Sequence, residues 1–212
     1  MKIVSLNGRW QVRESGEDGA EWLEATVPGC VHTDLMANDV IPDPYYRDNE
    51  QKAFWIGETD WEYRRSFTVP AELLTHDRVL LSCEGLDTLA TIWLNGREIG
   101  QTDNMFRRWE FDARPFLHPG ENEIVVRFSS ALRFGQEKLA ERYIHSWSTD
   151  THKLPGGNYV RKSQCNFGWA WGPQLVTCGI WRDISLITFD TARLADVQIR
   201  QDHSVPGQVG LC

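Results

Sequence analysis

Alternation of apolar and polar residues along short segments constrains the fold of this sequence more than any other feature. In the segment WEYRRSFTV (61–69), aromatic and aliphatic side chains occupy positions 61, 63, 67 and 69, and every even-numbered position is polar. Neighbouring residues of a β-strand point to opposite faces, so a period of two indicates a strand with one buried face. The segment therefore predicts a half-buried strand.

Five further segments have the length, apolar content and bordering turns of strands. They are RVLLSCEGL (78–86), LATIWLNGREIGQ (89–101), NMFRRWEFDARPFL (104–117), ENEIVVRFSS (121–130) and GIWRDISLITF (179–189). Asn95 and Gly96 separate two apolar runs, and both residue types accept positive φ, which predicts a hairpin with a type I′ turn. Short strands with closely spaced turns predict an all-β fold, an antiparallel β-sandwich.

Two segments depart from the strand pattern and predict helices. Residues 28–39 (PGCVHTDLMAND) predict a short helical turn that ends near Asn38. In residues 130–144, apolar side chains recur close to helical spacing, which predicts one amphipathic helix. Ser129 or Ser130 is the expected N-terminal cap, because a serine hydroxyl accepts a hydrogen bond from a free N–H of the first turn.

A long loop is predicted over residues 145–178, because its glycines and polar residues argue against a regular element. Loops longer than about 12–15 residues in compact domains are usually functional or disordered. Its aromatic residues argue against disorder. They are Trp147, Tyr159, Phe167, Trp169 and Trp171. We therefore expect a functional aromatic loop.

The charge balance argues against a nucleic-acid partner. Lys and Arg total 22 and Asp and Glu total 30, a net charge of -8 at pH 7, whereas phosphate binding requires basic surface. No apolar run approaches the roughly 18–20 residues that span a bilayer, so no membrane partner is expected. His32, His145 and His152 lack metal-binding spacing and no P-loop occurs, so we expect neither a metal nor a cofactor.

The cysteines bear on the cellular compartment. Cys30, Cys83, Cys165, Cys178 and Cys212 are widely spaced and form no C-x-x-C motif. This pattern is typical of buried free thiols, and a disulfide between Cys165 and Cys178 would require an oxidising compartment. The first residues contain no secretory apolar segment. A cytoplasmic location is favoured, and periplasmic and lysosomal locations stay open.

Three motifs in a fixed order carry a resemblance to a known family. They are VPGCVHTDL (27–35), GLDTLATIWLNGREIGQTDNMF (85–106) and YVRKSQCNFGWAWGPQLVTCGIWRDISL (159–186). Together they resemble the N-terminal domain of glycoside hydrolase family 2 enzymes, and the first and third are most similar to the β-mannosidases of that family. The resemblance extends over roughly residues 3–190.

The resemblance implies a fold for this chain and assigns catalysis to another domain. Residues 1–189 are expected to form a jelly-roll sandwich like that of galactose-binding domains, and residues 190–212 the truncated start of an immunoglobulin-like domain. A TIM-barrel domain absent from this chain would carry the two glutamates of a retaining exo-β-glycosidase acting on terminal β-D-mannosides. No catalytic residue is therefore expected here. Asn49 and Glu50 match the family's acid/base pair only superficially, since we place them in a solvated N-terminal loop before the first sandwich strands.

The same resemblance implies one candidate binding site. The loop 164–173 is expected to wall the substrate pocket with Trp169, Ala170 and Trp171. An extended backbone would put both indoles on one side, where flat aromatic faces suit the apolar faces of a pyranose. The alternative is that both indoles pack against the sandwich. Similar mannosidases have Asp at the position of Ala170, so the parent prefers another glycoside, or another acid substitutes, or binding is weaker.

Two classes of function stay open. The first is a domain of a β-mannosidase that binds carbohydrate together with the barrel domain. The alternatives are a non-catalytic carbohydrate-binding module and a domain of a β-galactosidase- or β-glucuronidase-type enzyme. Arg161 and Lys162 could bind polar groups of a substrate, although adjacent basic residues are typical of an ordinary surface.

Overall fold

The computed structural model describes residues 1–16, 20–145, 154–169 and 172–211. The strands are β1 (Lys2–Ser5), β2 (Gly8–Glu14), β3 (Leu23–Val27), β4 (Trp61–Val69), β5 (Arg78–Cys83), β6 (Leu86–Asp87), β7 (Leu89–Leu94), β8 (Arg97–Thr102), β9 (Trp109–Asp112), β10 (Gly120–Ser129), β11 (Gly179–Ile180), β12 (Ile184–Phe189), β13 (Gln201–Asp202) and β14 (Gly210–Leu211). The α-helices are α1 (Val31–Ala37), α2 (Phe54–Glu58) and α3 (Ala131–Glu141). Short 3₁₀ helices cover Asn49–Ala53, Ala71–Thr75, Arg114–Phe116, Gly157–Tyr159 and Gln164–Phe167.

Two antiparallel sheets make up the sandwich. The smaller has the strand order β1-β12-β5-β9, and the larger has the order β3-β2-β4-β10-β7-β8. Strands β6 and β11 pair at one end, and β13 pairs with β14 near the C-terminus. Most neighbours in the two large sheets are distant in sequence, which is the jelly-roll type of connection. The predicted all-β, antiparallel sandwich is confirmed.

One hydrophobic core lies between the sheets. The larger sheet contributes Trp10, Tyr63 and Phe128, and the smaller contributes Leu81 and Leu186, all 2% exposed or less. The rings of Tyr63 and Phe128 meet edge to face, with their centroids 5.8 Å apart. This arrangement suits the opposite charges of ring edge and ring face. The alternation predicted for WEYRRSFTV is confirmed, since its apolar residues are the buried ones of β4.

The first three strands correct one expectation. We placed the first sandwich strands after residue 60, but β1, β2 and β3 all precede that point. Strand β2 pairs with both β3 and β4, so the N-terminal segment is part of the larger sheet. The sequence of β2 does contain the alternation of a half-buried strand, since Trp10 and Val12 are buried and Gln11 between them is not.

The predicted turn and helices are largely confirmed. Asn95 and Gly96 have φ values of 50° and 76°, and they join β7 to β8 as the type I′ hairpin requires. Helix α1 ends at Ala37 with Asn38 as its cap. Helix α3 ends at Glu141, so it is shorter than the helix predicted for residues 130–144. Tyr143 lies beyond it with 73% of its surface exposed.

Ser130 is the cap of α3 and also attaches it to α2. Its hydroxyl accepts a hydrogen bond from Arg133 N at 3.0 Å and donates one to Gly57 O at 2.6 Å. We expect Ser130→Ala to lower the free energy of unfolding by about 1–2 kcal/mol, the usual cost of losing a cap. Urea denaturation would measure it. Ser129→Ala is the matched control, since Ser129 is exposed, and an equal loss in both variants would contradict the capping role.

Candidate functional site

The segment that follows α3 is held by a hydrophobic cluster of its own. Here we call residues 154–178 the late loop. The cluster contains Ala131, Leu132, Val160, Phe167 and Val176. Phe167 is fully buried in it. The described part of the late loop is therefore an ordered element that packs on α3, while Leu175 and Cys178 near its end also pack on the sandwich core.

Two glycines let the late loop approach α3 closely. A Cβ atom added to Gly135 would lie 2.4 Å from Gly156 O. Gly156 has a φ of 94°, in the region that favours glycine, and a Cβ there would lie 2.4 Å from the carbonyl carbon of Gly135. Both positions therefore require glycine for the backbones to touch.

A buried ion pair anchors the late loop to the sandwich. Lys162 Nζ contacts Asp87 Oδ2 and donates a second hydrogen bond to Thr177 O at 2.8 Å. The lysine side chain is 0% exposed and the aspartate side chain 4%. Asp87 belongs to β6, which pairs with β11 at Gly179. One ammonium group therefore links residue 162 and the C-terminal end of the loop, at Thr177, to Asp87.

Lys162 thus corrects an expectation drawn from the sequence. We treated Arg161 and Lys162 as an ordinary basic surface, but only Arg161 is exposed. The alternation of residues offered one indication that Lys162 is buried. Val160 is apolar, and Lys162, two residues later, shares its face in an extended segment. The partner, Asp87, is 75 residues away in sequence, so no local pattern identifies it.

The three residues expected to wall a pocket are only partly described. Trp169 is half-buried, and its carbonyl oxygen accepts a hydrogen bond from Gly172 N at 3.1 Å. Trp169 and Gly172 form an isolated antiparallel bridge. Ala170 and Trp171 lie outside the described residues, as do Trp147, His152 and Cys212.

Asn49 and Glu50 have a structural role that the sequence did not suggest. They start a 3₁₀ helix between β3 and β4, and both are half-buried rather than solvated. Glu50 Oε2 accepts a hydrogen bond from Gln174 N at 3.2 Å. This carboxylate therefore attaches the late loop at Gln174, two residues after the Trp169–Gly172 bridge.

Buried titratable groups surround the start of α1. Burial and the nearby Lys162 charge lower the pKa of His32 to about 4. Burial also raises the pKa of Asp34, whose Oδ2 accepts a hydrogen bond from the Tyr63 hydroxyl at 2.7 Å. The pKa of the Cys178 thiol is raised well above its usual value by burial. At neutral pH the imidazole is therefore uncharged and the thiol protonated.

The cysteines and possible metal sites can be stated for the described residues. Cys30, Cys83, Cys165 and Cys178 are free thiols, and Cys165 is exposed rather than buried. In the part of the chain that the structure describes, no three His, Cys, Asp or Glu side chains are grouped as metal ligands. Across those same residues, no helix has the length and apolar character needed to cross a membrane.

Comparison with known proteins places the chain in a family. Residues 10–182 match the model for the family described as glycosyl hydrolase 2 galactose-binding domain-like. The chain is 38% identical to a β-mannosidase of Bos taurus over 197 residues, which is 90% of this chain and 22% of that protein. It is 35% identical to a β-mannosidase B of Thermothelomyces thermophilus, over 92% of this chain and 23% of that protein.

A solved structure agrees with these relatives. The chain superposes on a β-D-mannosidase from Dictyoglomus thermophilum with a TM-score of 0.89 and 40% identity. The match covers 99% of this chain and 25% of that one. The chain thus spans a quarter or less of the length of the proteins it resembles.

Proposed function

This chain belongs to the glycosyl hydrolase 2 galactose-binding domain-like family, and on that basis we propose that it is the non-catalytic N-terminal domain of a retaining exo-β-glycosidase that hydrolyses terminal β-D-mannosides. A single observation carries the proposal. The identity to three β-mannosidases is 35–40% over at least 90% of this chain. The two carboxyl groups of a retaining mechanism, about 5–5.5 Å apart, would belong to the remainder of the protein.

We propose that residues 1–189 are the sandwich domain and that residues 190–212 begin an immunoglobulin-like domain. Strand β12 ends at Phe189. After it, Leu194, Val197 and Ile199 are 67–88% exposed, although all three are aliphatic. Aliphatic side chains in this number are normally covered by packing. We also propose a cytoplasmic location, which the free thiols support.

The late loop is the proposed pocket wall. The described residues near positions 169 and 172 are held by three attachments, which are the packing of Phe167, the buried ion pair of Lys162 and the hydrogen bond from Gln174 N to Glu50. Three independent attachments suit a loop that must hold a side chain within a fraction of an ångström for a substrate. An indole has flat apolar faces that suit a pyranose ring, and the indole of Trp169 is half-buried. The late loop would bind the carbohydrate substrate together with the barrel domain.

A substitution at position 170 tests whether the late loop lines the substrate pocket. We expect Ala170→Asp in the full-length protein to raise kcat/KM for an aryl β-mannoside by about tenfold, because a carboxylate accepts hydrogen bonds from sugar hydroxyls and a methyl group does not. Steady-state kinetics would measure it. Ala192→Asp, at an exposed position after β12, is the matched control. Unchanged constants in Ala170→Asp would contradict the role of this position.

Substrate choice tests the proposed function. The product of the complete reading frame would be assayed on p-nitrophenyl β-D-mannoside, β-D-galactoside and β-D-glucuronide, beside this 212-residue chain. We expect turnover of the mannoside by the complete protein and none by the chain. Preference for either other substrate would favour the galactosidase- or glucuronidase-type alternative. A reading frame that encodes no barrel with paired glutamates would favour a carbohydrate-binding module.

A further inference from the structure

An open groove lies on the outer face of the smaller sheet, beside strands β1 and β12. Its volume is about 590 Å³, within the range of about 300–1,000 Å³ that is common for ligand sites. Ile3 of β1, its neighbour Ile187 of β12 and Pro28 form the apolar part of the lining. The other lining residues are Glu84, Arg108, Trp181, Arg182, Asp183 and Ser185. The groove therefore combines aliphatic surface with several polar side chains.

The polar side chains of the groove are accessible to a ligand. The side chain of Arg108 is 51% exposed and that of Glu84 is 36% exposed, and Arg182 and Asp183 are exposed as well. Arg108 Nε contacts both carboxylate oxygens of Glu84, at 2.9 and 3.0 Å. Its two terminal nitrogens have no partner among the described residues, so they keep their donors for a ligand.

Arg182 is the second guanidinium group of the groove, and an aromatic ring holds it in place. Its central carbon lies 4.1 Å from the centre of the Trp181 ring. Trp181 Nε1 donates a hydrogen bond to Met105 O at 3.1 Å, which fixes the indole in turn. The indole fits because residue 85 is glycine, where a Cβ atom would lie 2.5 Å from Trp181 Nε1. Among the described residues, no hydrogen-bond acceptor pairs with Arg182.

Asp183 is held in the same manner by a residue that does not line the groove. Its Oδ1 accepts a hydrogen bond from Asn7 Nδ2 at 2.8 Å, and Asn7 Oδ1 accepts one from Ile184 N at 3.0 Å. Within the described part of the chain, Asp183 Oδ2 has no partner. Arg108, Arg182 and Asp183 are thus each fixed by one contact and keep other polar atoms free, which is the arrangement of a preorganised site.

The lining determines the chemistry of the ligand. Its charged residues are two acids and two arginines, so their formal charges cancel, and the groove has no net attraction for an ion. Guanidinium groups donate hydrogen bonds, carboxylates accept them, and the Ser185 hydroxyl does both. Sugar hydroxyl groups match this mixture, because each of them donates and accepts. The exposed side chain of Ile3 suits the carbon–hydrogen face of a sugar ring.

We propose that this groove binds a neutral oligosaccharide, with hydroxyl groups of the sugar hydrogen-bonded to Arg108, Arg182 and Asp183. The site is formed by this chain alone, so it does not depend on the activity proposed for the full-length protein. It is also separate from the late loop, none of whose residues lines the groove.

NMR titration of the ¹⁵N-labelled 212-residue chain tests the proposal, with the indole N–H signal of Trp181 as the reporter. β-1,4-Mannobiose and cellobiose are the neutral probes, and digalacturonate and the disaccharide of glucosamine are the charged probes. We expect saturable shifts with at least one neutral probe and about tenfold weaker binding of both charged probes, which would lose hydration without a net opposite charge.

One substitution connects the binding to the groove. We expect Arg182→Ala to weaken binding about tenfold, because it removes hydrogen bonds from a charged donor. Arg97→Ala is the matched control, since the Arg97 guanidinium also lies over an aromatic ring, that of Phe116 at 4.6 Å, but does not line the groove. Arg97→Ala should leave the affinity unchanged. A fixed Trp181 signal in every titration would overturn the proposal, as would unchanged affinity in Arg182→Ala.

A second measurement asks whether the groove is open in the complete protein. Phenylglyoxal modifies accessible arginines, and mass spectrometry would locate the modified residues. We expect modification of Arg182 in the complete protein, and less modification when the neutral disaccharide is present. Arg97 should react equally with and without the sugar. An Arg182 that reacts in the 212-residue chain but not in the complete protein would show that another part of the protein covers the groove, which would overturn the proposal.

Discussion

Lys162→Met is expected to lower the free energy of unfolding by about 3–5 kcal/mol, because it removes one member of a fully buried ion pair and leaves the other charged. Asp87 would then have no ion-pair partner among the described residues, and Thr177 O would lose its ammonium donor. Methionine has a similar length and fills most of the same space, so little of the loss comes from a cavity. Denaturant unfolding of the purified chain measures the effect.

An exposed ion pair provides the control for this experiment. Lys138 contacts Glu141 at 2.8 Å, with 41% and 64% of the side chains exposed, and ion pairs screened by solvent in this way add little to stability. Lys138→Met should therefore have little effect. Adding Asp87→Asn to Lys162→Met should restore part of the loss, since it removes the uncompensated charge. A loss below about 1 kcal/mol in Lys162→Met would show that the pair does not anchor the late loop.

Acidification from pH 7 to pH 4 is expected to remove about 3 kcal/mol of stability through His32 alone. Burial and the charge of Lys162 lower its pKa from 6.5 to about 4 in the folded protein. The folded state thus favours the neutral ring, so this stability is fully present above pH 6.5 and is lost as the pH falls towards 4. Each unit of pKa difference corresponds to about 1.4 kcal/mol.

His32→Leu isolates this contribution, because leucine does not titrate. Thermal unfolding of both proteins from pH 7 to pH 4 should show a steeper loss for the unsubstituted chain. Asp34 acts in the opposite direction, since its raised pKa makes the folded state favour the protonated acid. Asp34 is present in both proteins, so the difference between the two curves belongs to His32. Parallel curves would refute the assignment.

The strands of the sandwich were predictable wherever buried and exposed residues alternate along the chain. Strands β4 and β10 bury every second residue over most of their length, so the alternation is read directly from the sequence. Strand β1 was missed for the opposite reason. Its four residues include no fully buried one, and its place in the sheet comes from pairing with β12, more than 180 residues away in sequence. β1 therefore has no buried face of its own from which the sequence could identify it as a strand.

The candidate site was predictable as a segment but not as a set of contacts. Aromatic residues in an otherwise irregular stretch argued against disorder, and the described part of that stretch does pack in a hydrophobic cluster. The attachments of that loop were not foreseen, because Asp87 and Glu50 reach it from distant segments. A carboxylate that pairs with a lysine looks the same in a sequence as one that faces solvent. Only the folded chain distinguishes them.

The separate packing of the late loop has an evolutionary consequence. Its hydrophobic cluster shares no buried residue with the core between the two sheets. The late loop still joins the sandwich through Leu175, Cys178 and the Lys162–Asp87 pair, so substitutions away from these contacts disturb the packing of the sheets least. If the late loop walls the substrate pocket as proposed, a lineage can try new residues at positions such as Ala170 while the scaffold keeps its stability. Divergence of specificity on this architecture needs few compensating mutations.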